Sequence, residues 1–157
     1  MRKGVADLPR RAAVSQASND RYAAALASAH CSRPLKDLAK GVCRRKQEAN
    51  RSVRALNPLG PDDAALLETV NRGEFAINGF RNRDLRKHLY PQTTVNKKEQ
   101  RKRSAAVTRK LRILRMHGLI KKVPKTHRYV LTANGFQIIT ALLAARSADV
   151  AKLIAVA

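Results

Sequence analysis

Tryptophan is absent from this chain of 157 residues, and aromatic residues of all kinds make up only 4% of it. Most of the apolar residues are alanine, leucine or valine. Alanine favours helices but removes little area from water when it is buried, so the core is expected to be modest. The composition therefore predicts a mainly helical protein and argues against a large fold with a deep, enzyme-style pocket.

Cysteine is almost as scarce, since Cys31 and Cys43 are the only two and no CxxC motif occurs. Two such isolated thiols are typical of reduced, partly buried cysteines. His30 precedes Cys31, but a tetrahedral zinc site needs four ligands at suitable spacing. The sequence predicts no metal site and no cofactor.

Long apolar runs are missing as well. No stretch approaches the roughly 18 consecutive apolar residues that a membrane-spanning helix requires. The first residues, MRKGVADLPRR, are charged and lack the apolar run of a secretory signal. We therefore expect a cytoplasmic protein with no membrane partner.

Acidic residues are outnumbered three to one, with 11 Asp and Glu against 33 Lys and Arg, so the net charge is +22. The densest basic stretch runs from Lys97 to Arg128 and holds thirteen Lys or Arg residues with Glu99 as its single acid. Positive charge at this density indicates a polyanionic partner, of which the phosphate backbone of a nucleic acid is the nearest candidate. A nucleoid-associated location follows from that expectation.

Signals for catalysis are weak. Asp62 and Asp63 are adjacent carboxylates, but they lie where the start of a helix favours acids. Ser104 has no histidine at a plausible spacing, and neither a glycine-rich phosphate loop nor an HExxH motif occurs. We therefore predict that the protein is not an enzyme.

The first 60 residues are basic, and two helices are predicted within them. One runs from about Asn19 to His30 after a favourable start signal. The second opens at Pro34 and places three apolar residues on one face, namely Leu35, Leu38 and Val42.

Residues 44–61 mix charge with Asn, Pro and Gly, which is typical of turns and linkers. We place a domain boundary there. The predicted organisation is a basic, helical N-terminal segment (1–60), a folded domain (61–147) and a C-terminal helical tail (148–157).

The folded domain opens with a helix that begins at Pro61 and ends at Gly73. Its apolar stripe consists of Leu66, Leu67 and Val70. A brief strand is predicted over residues 75–77, followed by a turn at 78–79. Asn82 is predicted to cap the next helix, which Pro91 ends; its inward residues are Leu85 and Leu89.

A long helix is predicted from about Lys97 to His117, with Gly118 at its C-terminal end. Residues spaced 100° apart give it two opposite faces. One is the buried face, formed by Ser104, Val107, Leu111 and Leu114. The other is the cationic face, formed by Lys98, Arg101, Lys102, Ala105, Arg109 and Arg112.

A short hairpin is predicted next, with strands over 119–123 and 127–131. Thr132 is predicted to cap a last helix, in which Phe136, Ile139 and Leu143 recur at helical spacing. Tyr129 and Phe136 are expected to fill the core between hairpin and last helix. His117 and His127 are expected to pack or cap rather than to act as proton switches.

This order of helix, strand, helix, helix, hairpin and helix resembles the winged helix-turn-helix domain. The segment LRILRMHGLIKKVPKTHRYVLTANG resembles the end of the recognition helix, the wing and the following helix start of MarR-like regulators, and NGFRNRDLRKHL resembles the helix before the recognition helix. The resemblance covers about residues 61–146. It implies a mainly α fold with a small β-hairpin wing, which is the fold class we expect.

The same resemblance implies binding of double-stranded DNA, in transcriptional regulation or as the DNA-binding end of a mobile-element protein. Arg101 and Arg109 are the candidates for base edges, because a guanidinium pairs bidentately with guanine. The full set of expected DNA-binding residues is Lys98, Arg101, Lys102, Ser104, Ala105, Thr108, Arg109, Arg112, Lys121, Lys122, Lys125 and Arg128.

Other interpretations stay open at this point. A solvated surface helix would explain the charge, although such helices usually mix acids with bases. An RNA-associated basic protein would share the composition. The last helix and tail form an alternative interaction or homodimerisation surface through Leu142, Leu143, Val150, Leu153 and Ile154. The whole chain also resembles the C-terminal part of longer, uncharacterised bacterial proteins, so it is a candidate fragment of a larger enzyme.

Overall fold

The computed structural model describes residues 8–9, 11–16, 19, 33–48, 51–92 and 96–148. Within them the protein is mainly helical and carries two small antiparallel hairpins, which confirms the expected combination of helices with a small β-hairpin. The helices are α1 (Leu35–Lys40), α2 (Pro61–Val70), α3 (Gly73–Asn78), α4 (Asn82–Leu89), α5 (Lys97–Met116) and α6 (Ala133–Ser147). The strands are β1 (Lys46–Glu48), β2 (Arg51–Val53), β3 (Ile120–Lys122) and β4 (Tyr129–Leu131).

A hydrophobic core joins α2, α4, α5 and α6. The predicted apolar stripes are confirmed, because their members are buried in this core: Leu66, Leu67, Val70, Leu85, Val107, Leu111 and Leu114. On α6 the buried residues are Ile138, Ile139 and Leu142, whereas Phe136 is only half-buried. Tyr129 packs against the core, as predicted. None of the helices in the described part of the chain is long and apolar enough to cross a membrane.

The N-terminal segment shares this core. Leu38, Val42 and Leu56 belong to the same buried cluster as the residues of α2 and α5. Leu35, by contrast, is 43% exposed, so the predicted three-residue face is correct at two positions. The division at residue 60 stays a prediction. The helix predicted over 19–30 falls almost entirely outside the described residues, as does all of the predicted tail except Ala148.

Part of the predicted linker is a hairpin instead. Strands β1 and β2 pair antiparallel, with Lys46 opposite Val53 and Glu48 opposite Arg51. The linker interpretation is therefore wrong for residues 46–48 and 51–53. Local composition concealed the hairpin, because Lys, Gln, Glu and Arg are poor strand formers and the pairing depends on contacts with distant residues.

The strand predicted over residues 75–77 is also wrong, since these residues lie within helix α3. Phe75 is buried in the core, with its ring 5.4 Å from that of Phe80. Gly79 then takes a φ of 63° and allows the chain to leave the helix. The extended pairing falls at Phe80, which forms an isolated antiparallel bridge with Tyr129.

Two predicted helix ends are shifted. Helix α2 ends at Val70, and Gly73 is the first residue of α3 rather than a helix stop. Asn82 is the first residue of α4, so it is not the cap that was predicted. Instead the Asp84 carboxylate accepts a hydrogen bond from the Arg81 N–H at 2.8 Å, which satisfies a donor at the start of the helix.

Three further local predictions are confirmed. Gly118 follows the end of α5 with a φ of 72°. At the start of the same helix the structure adds a cap that was not predicted, since Asn96 accepts from the Lys98 N–H. Thr132 caps α6, accepting from the Gly135 N–H at 2.8 Å. The predicted hairpin is present as β3 and β4, with Ile120 opposite Leu131.

Candidate nucleic-acid interface

Helix α5 exposes the cationic face that the sequence predicts. Its exposed members are Lys98, Arg101, Lys102, Ala105, Thr108, Arg109 and Arg112. Among the described residues, the five cations of this set form no ion pair. Unpaired cations on one side of a helix repel one another, so this face is best stabilised by an external anion. We call these seven residues the α5 face.

One cation of α5 has an internal role instead. The Arg103 side chain is only 18% exposed, and its Nε donates to the Glu99 carboxylate at 3.2 Å. Its NH1 group donates to the Gln92 carbonyl oxygen at 2.6 Å, and the guanidinium lies over the Tyr90 ring at 5.5 Å. Arg103 and Glu99 thus hold the first turns of α5 against the end of α4.

A side chain from α4 fixes the middle of α5. The Asn82 amide donates to the Ser104 carbonyl oxygen at 3.0 Å and to the Thr108 hydroxyl at 2.9 Å. The Ser104 hydroxyl donates back to the Asn82 side-chain oxygen at 3.3 Å. Ser104 is half-buried in this contact, in keeping with its predicted place on the buried face, so its hydroxyl is less accessible than its membership of the predicted DNA-binding set requires. Thr108 is exposed, with its hydroxyl engaged in the same contact.

The β3–β4 hairpin carries a second group of cations. Lys121, Lys122 and Lys125 are exposed and, within the described part of the chain, free of ion pairs. At the tip, Lys125 has a φ of 57°, and the Thr126 hydroxyl donates to the Val123 carbonyl oxygen at 2.9 Å. These three lysines form what we call the β3–β4 lysine group.

Arg128 behaves differently from the three lysines. It is half-buried, and its NH1 group donates to the Asn78 carbonyl oxygen at 2.6 Å. This bond ties β4 to the end of α3. The sequence predicts Arg128 as a DNA-binding residue, but its guanidinium is also engaged in this contact within the fold.

The β3–β4 hairpin is linked to α5 through Phe80 and Asn82, which are close together in the chain. Phe80 exchanges backbone hydrogen bonds of 2.8 Å with Tyr129 on β4. Only two residues later along the chain, Asn82 contacts Ser104 and Thr108 on α5. Two residues span at most about 7 Å, so the hairpin base lies beside the flank of α5 that carries Thr108.

The far end of α5 is held by a buried histidine. His117 is 4% exposed, and its ring nitrogens face two carbonyl oxygens, Nε2 that of Arg54 at 3.0 Å and Nδ1 that of Gly41 at 3.4 Å. His117 therefore packs within the fold, as predicted. His127 is exposed.

A buried carboxylate secures the same region. Asp63 is 3% exposed and accepts two hydrogen bonds of 2.6 Å from the Arg54 guanidinium and one of 2.8 Å from the Asn57 N–H. Burial alone would raise the pKa of this carboxyl. The hydrogen bonds and the positive charges of Arg54 and Lys110 outweigh that effect, so the pKa of Asp63 lies below its usual range.

The described residues indicate neither a metal site nor a reactive thiol beside this surface. No group of three or more His, Cys, Asp or Glu residues suited to a metal ion occurs in the described ranges. Cys43 is free and exposed, so the expectation of a partly buried thiol is wrong for this residue. What burial its thiol has raises its pKa, which lowers its reactivity at neutral pH. Cys31 lies outside those ranges.

The predicted dimer surface is partly used inside the chain. Leu142 is 7% exposed and Leu143 packs against the core. Leu142 is therefore unavailable to a partner and Leu143 is only partly exposed, whereas Val150, Leu153 and Ile154 lie outside the described residues. Homodimerisation through the tail stays a prediction.

Sequence reasoning missed three contributors to the surface: the Asn82 contact, the internal role of Arg103 and the β1–β2 hairpin. A polar Asn at the start of a helix suggested a cap, and one Arg among nine Lys and Arg residues of α5 gave no sign of being different.

Comparison with protein-family models, with curated proteins and with solved structures finds no significant match to this chain.

Proposed function

We propose that this protein binds double-stranded DNA through a winged helix-turn-helix arrangement, with α5 as the recognition helix and β3–β4 as the wing. The observation that carries the proposal is the α5 face, a stripe of exposed cations without ion-pair partners among the described residues, on a helix that contacts from α4 and from Gln92 after it hold in place. The order of α2, the Phe80 bridge, α4, α5 and β3–β4 supports it, because winged helix domains follow the same order.

The proposed mechanism begins with electrostatic docking. A helix with its side chains fits the major groove, and the α5 face would enter it first. Arg101 and Arg109 contact base edges, whereas Lys98, Lys102 and Arg112 neutralise phosphates. Ala105 makes an apolar contact with the bases. Thr108 offers its hydroxyl for base recognition, and the same hydroxyl bonds to Asn82.

The β3–β4 lysine group follows the backbone beside α5 or enters the minor groove. Ser104 and Arg128 support the surface from within, through Asn82 and Asn78, rather than reaching far into the groove. A role in transcriptional regulation, or as the DNA-binding end of a mobile-element protein, is consistent with such a surface.

The test is a titration of fluorescent duplex DNA with the full chain and with the double variant Arg101→Ala, Arg109→Ala. The matched control is Arg72→Ala, Arg146→Ala, which removes the same charge from cations that pair with Glu74 and Glu68. Each good bidentate base contact contributes about 1–3 kcal/mol, so the double variant should lose at least tenfold in affinity on a preferred site.

The control variant should bind within about twofold of the parent chain, because exposed ion pairs contribute little. Duplex RNA of equal length provides the second comparison. The proposal is wrong if RNA binds as tightly as DNA, or if the Arg101 and Arg109 variant binds DNA as the parent does.

A further inference from the structure

The β1–β2 hairpin is a second basic projection of this fold. Residues 44–54, RRKQEANRSVR, contain five Lys or Arg residues and one acid. Arg44 and Arg51 are exposed and Lys46 is half-buried. Within the described part of the chain these three cations form no ion pair, so the hairpin resembles the α5 face in its unbalanced charge.

Contacts at its base hold this hairpin in place. An isolated two-stranded hairpin is marginal in water, so its position depends on what anchors it. Here the Leu56 N–H donates to the Val42 carbonyl oxygen at 2.9 Å, and both side chains are buried in the core. The Arg45 guanidinium also donates across the strands to the Ser52 hydroxyl at 2.9 Å.

Two further contacts anchor the end of β2 to the body of the protein. Arg54, directly after the strand, pairs bidentately with Asp63 on α2, and its carbonyl oxygen meets His117 at the end of α5. Val53 itself is 7% exposed. The hairpin cations are thus presented from a fixed base, as those of the β3–β4 hairpin are.

The base of the β1–β2 hairpin lies at the C-terminal end of α5. His117, which follows the helix, contacts the Arg54 carbonyl oxygen directly after β2. With residues spaced 100° apart, His117 continues one flank of α5, whereas Ser104 and Thr108, which contact α4, lie on the opposite flank. The β1–β2 hairpin is therefore anchored on the side of α5 away from Asn82.

We propose that the β1–β2 hairpin is a second wing, which binds the DNA phosphate backbone on the side of α5 away from the β3–β4 hairpin. This inference rests on the proposed DNA-binding function and extends it. The bound chemistry is phosphate, reached by Arg44, Lys46 and Arg51, and the duplex is contacted over a longer span than α5 and one wing would cover.

The test measures how the DNA affinity depends on salt for the triple variant Arg44→Gln, Lys46→Gln, Arg51→Gln. Each neutralised phosphate contributes about 0.9 to the slope of log K against log salt, so removing three contacts should make the slope shallower by about 2 to 3. The matched control is Lys36→Gln, Arg72→Gln, Arg146→Gln, which removes the same net charge from α1, the α2–α3 connection and α6.

A hydroxyl-radical footprint on a long duplex gives the second readout, and the protected region should shorten at one end only in the hairpin variant. Equal slopes and equal footprints for the hairpin variant and the parent would overturn the second wing while leaving DNA binding through α5 intact. If the parent chain does not bind duplex DNA, both proposals fail. Circular dichroism of each variant checks that the helical content is unchanged.

Discussion

Asp63 shows how a single residue has two structural roles. An acid in the first turn of a helix stabilises the positive end of the helix dipole, and that is why the sequence suggested it. The structure adds that this carboxylate is buried and holds Arg54, which fixes the base of the β1–β2 hairpin. Its neighbour Asp62 is exposed, so the two adjacent acids contribute very differently.

We predict that the protein becomes less stable as the pH is lowered and Asp63 becomes protonated. Because its pKa is lower in the folded chain than in the unfolded chain, its contribution is complete above the unfolded value of about 3.9. The contribution is then lost as the pH falls through the folded pKa. Denaturant unfolding measured from pH 6 to pH 2 should show this loss.

The variant Asp63→Asn should be destabilised at pH 6 by about 1.5–3 kcal/mol, the usual contribution of hydrogen bonds to a charged group. Its stability should also depend less on pH below 4. Asp62→Asn serves as the matched control and should change the free energy of unfolding by well under 1 kcal/mol. Equal losses in the two variants would show that the Arg54 contact contributes nothing beyond the helix dipole.

At the scale of elements, the close approach of α3 to β4 determines where the β3–β4 hairpin lies. Gly79 combines a φ of 63° with close contact to the backbone of Tyr129, and a Cβ there would also lie 2.8 Å from the Val130 side chain. Gly118 has a φ of 72°, but nothing lies within 4 Å of the place a Cβ would occupy. Substitution of Gly118 therefore introduces backbone strain alone, whereas substitution of Gly79 introduces backbone strain together with a steric clash.

We predict that Gly118→Ala costs about 1–2 kcal/mol of stability, the cost of a left-handed conformation for a residue with a Cβ. Gly79→Ala should cost clearly more, because the β4 backbone must also move away. Both values come from denaturant unfolding of the full chain. Similar losses for the two variants would contradict the close packing of Gly79 against β4.

Elements with strong local signals were predictable from the sequence. Helix α5 has a regular apolar stripe and a glycine after its end, and α6 has a threonine cap, so local chemistry alone specifies them. The β1–β2 hairpin was not predictable, because its strand residues are polar and its anchors, Asp63 and His117, are distant in sequence. Helix α3 was missed because a short apolar run is compatible with either helix or strand.

At the scale of the whole molecule, the net charge is +22, and the α5 face and the β3–β4 lysine group together hold eight of the cations. The exposure of the α5 face was predictable, since helical periodicity decides which side chains face solvent. The internal contacts of Ser104, Arg103 and Arg128 were not, because each partner belongs to a different element. A basic residue in a dense cationic stretch is therefore not necessarily free to bind.

Nuclear magnetic resonance of the full chain would show whether α5 and the β3–β4 hairpin bind duplex DNA. Amide shifts would be followed as duplex DNA is added at low salt. We expect changes over residues 97–112 and 121–128, and over the β1–β2 hairpin where it acts as a second wing, with α2 and α6 little affected. Changes confined to α6 and the residues after it, or no saturable change at all, would contradict this expectation.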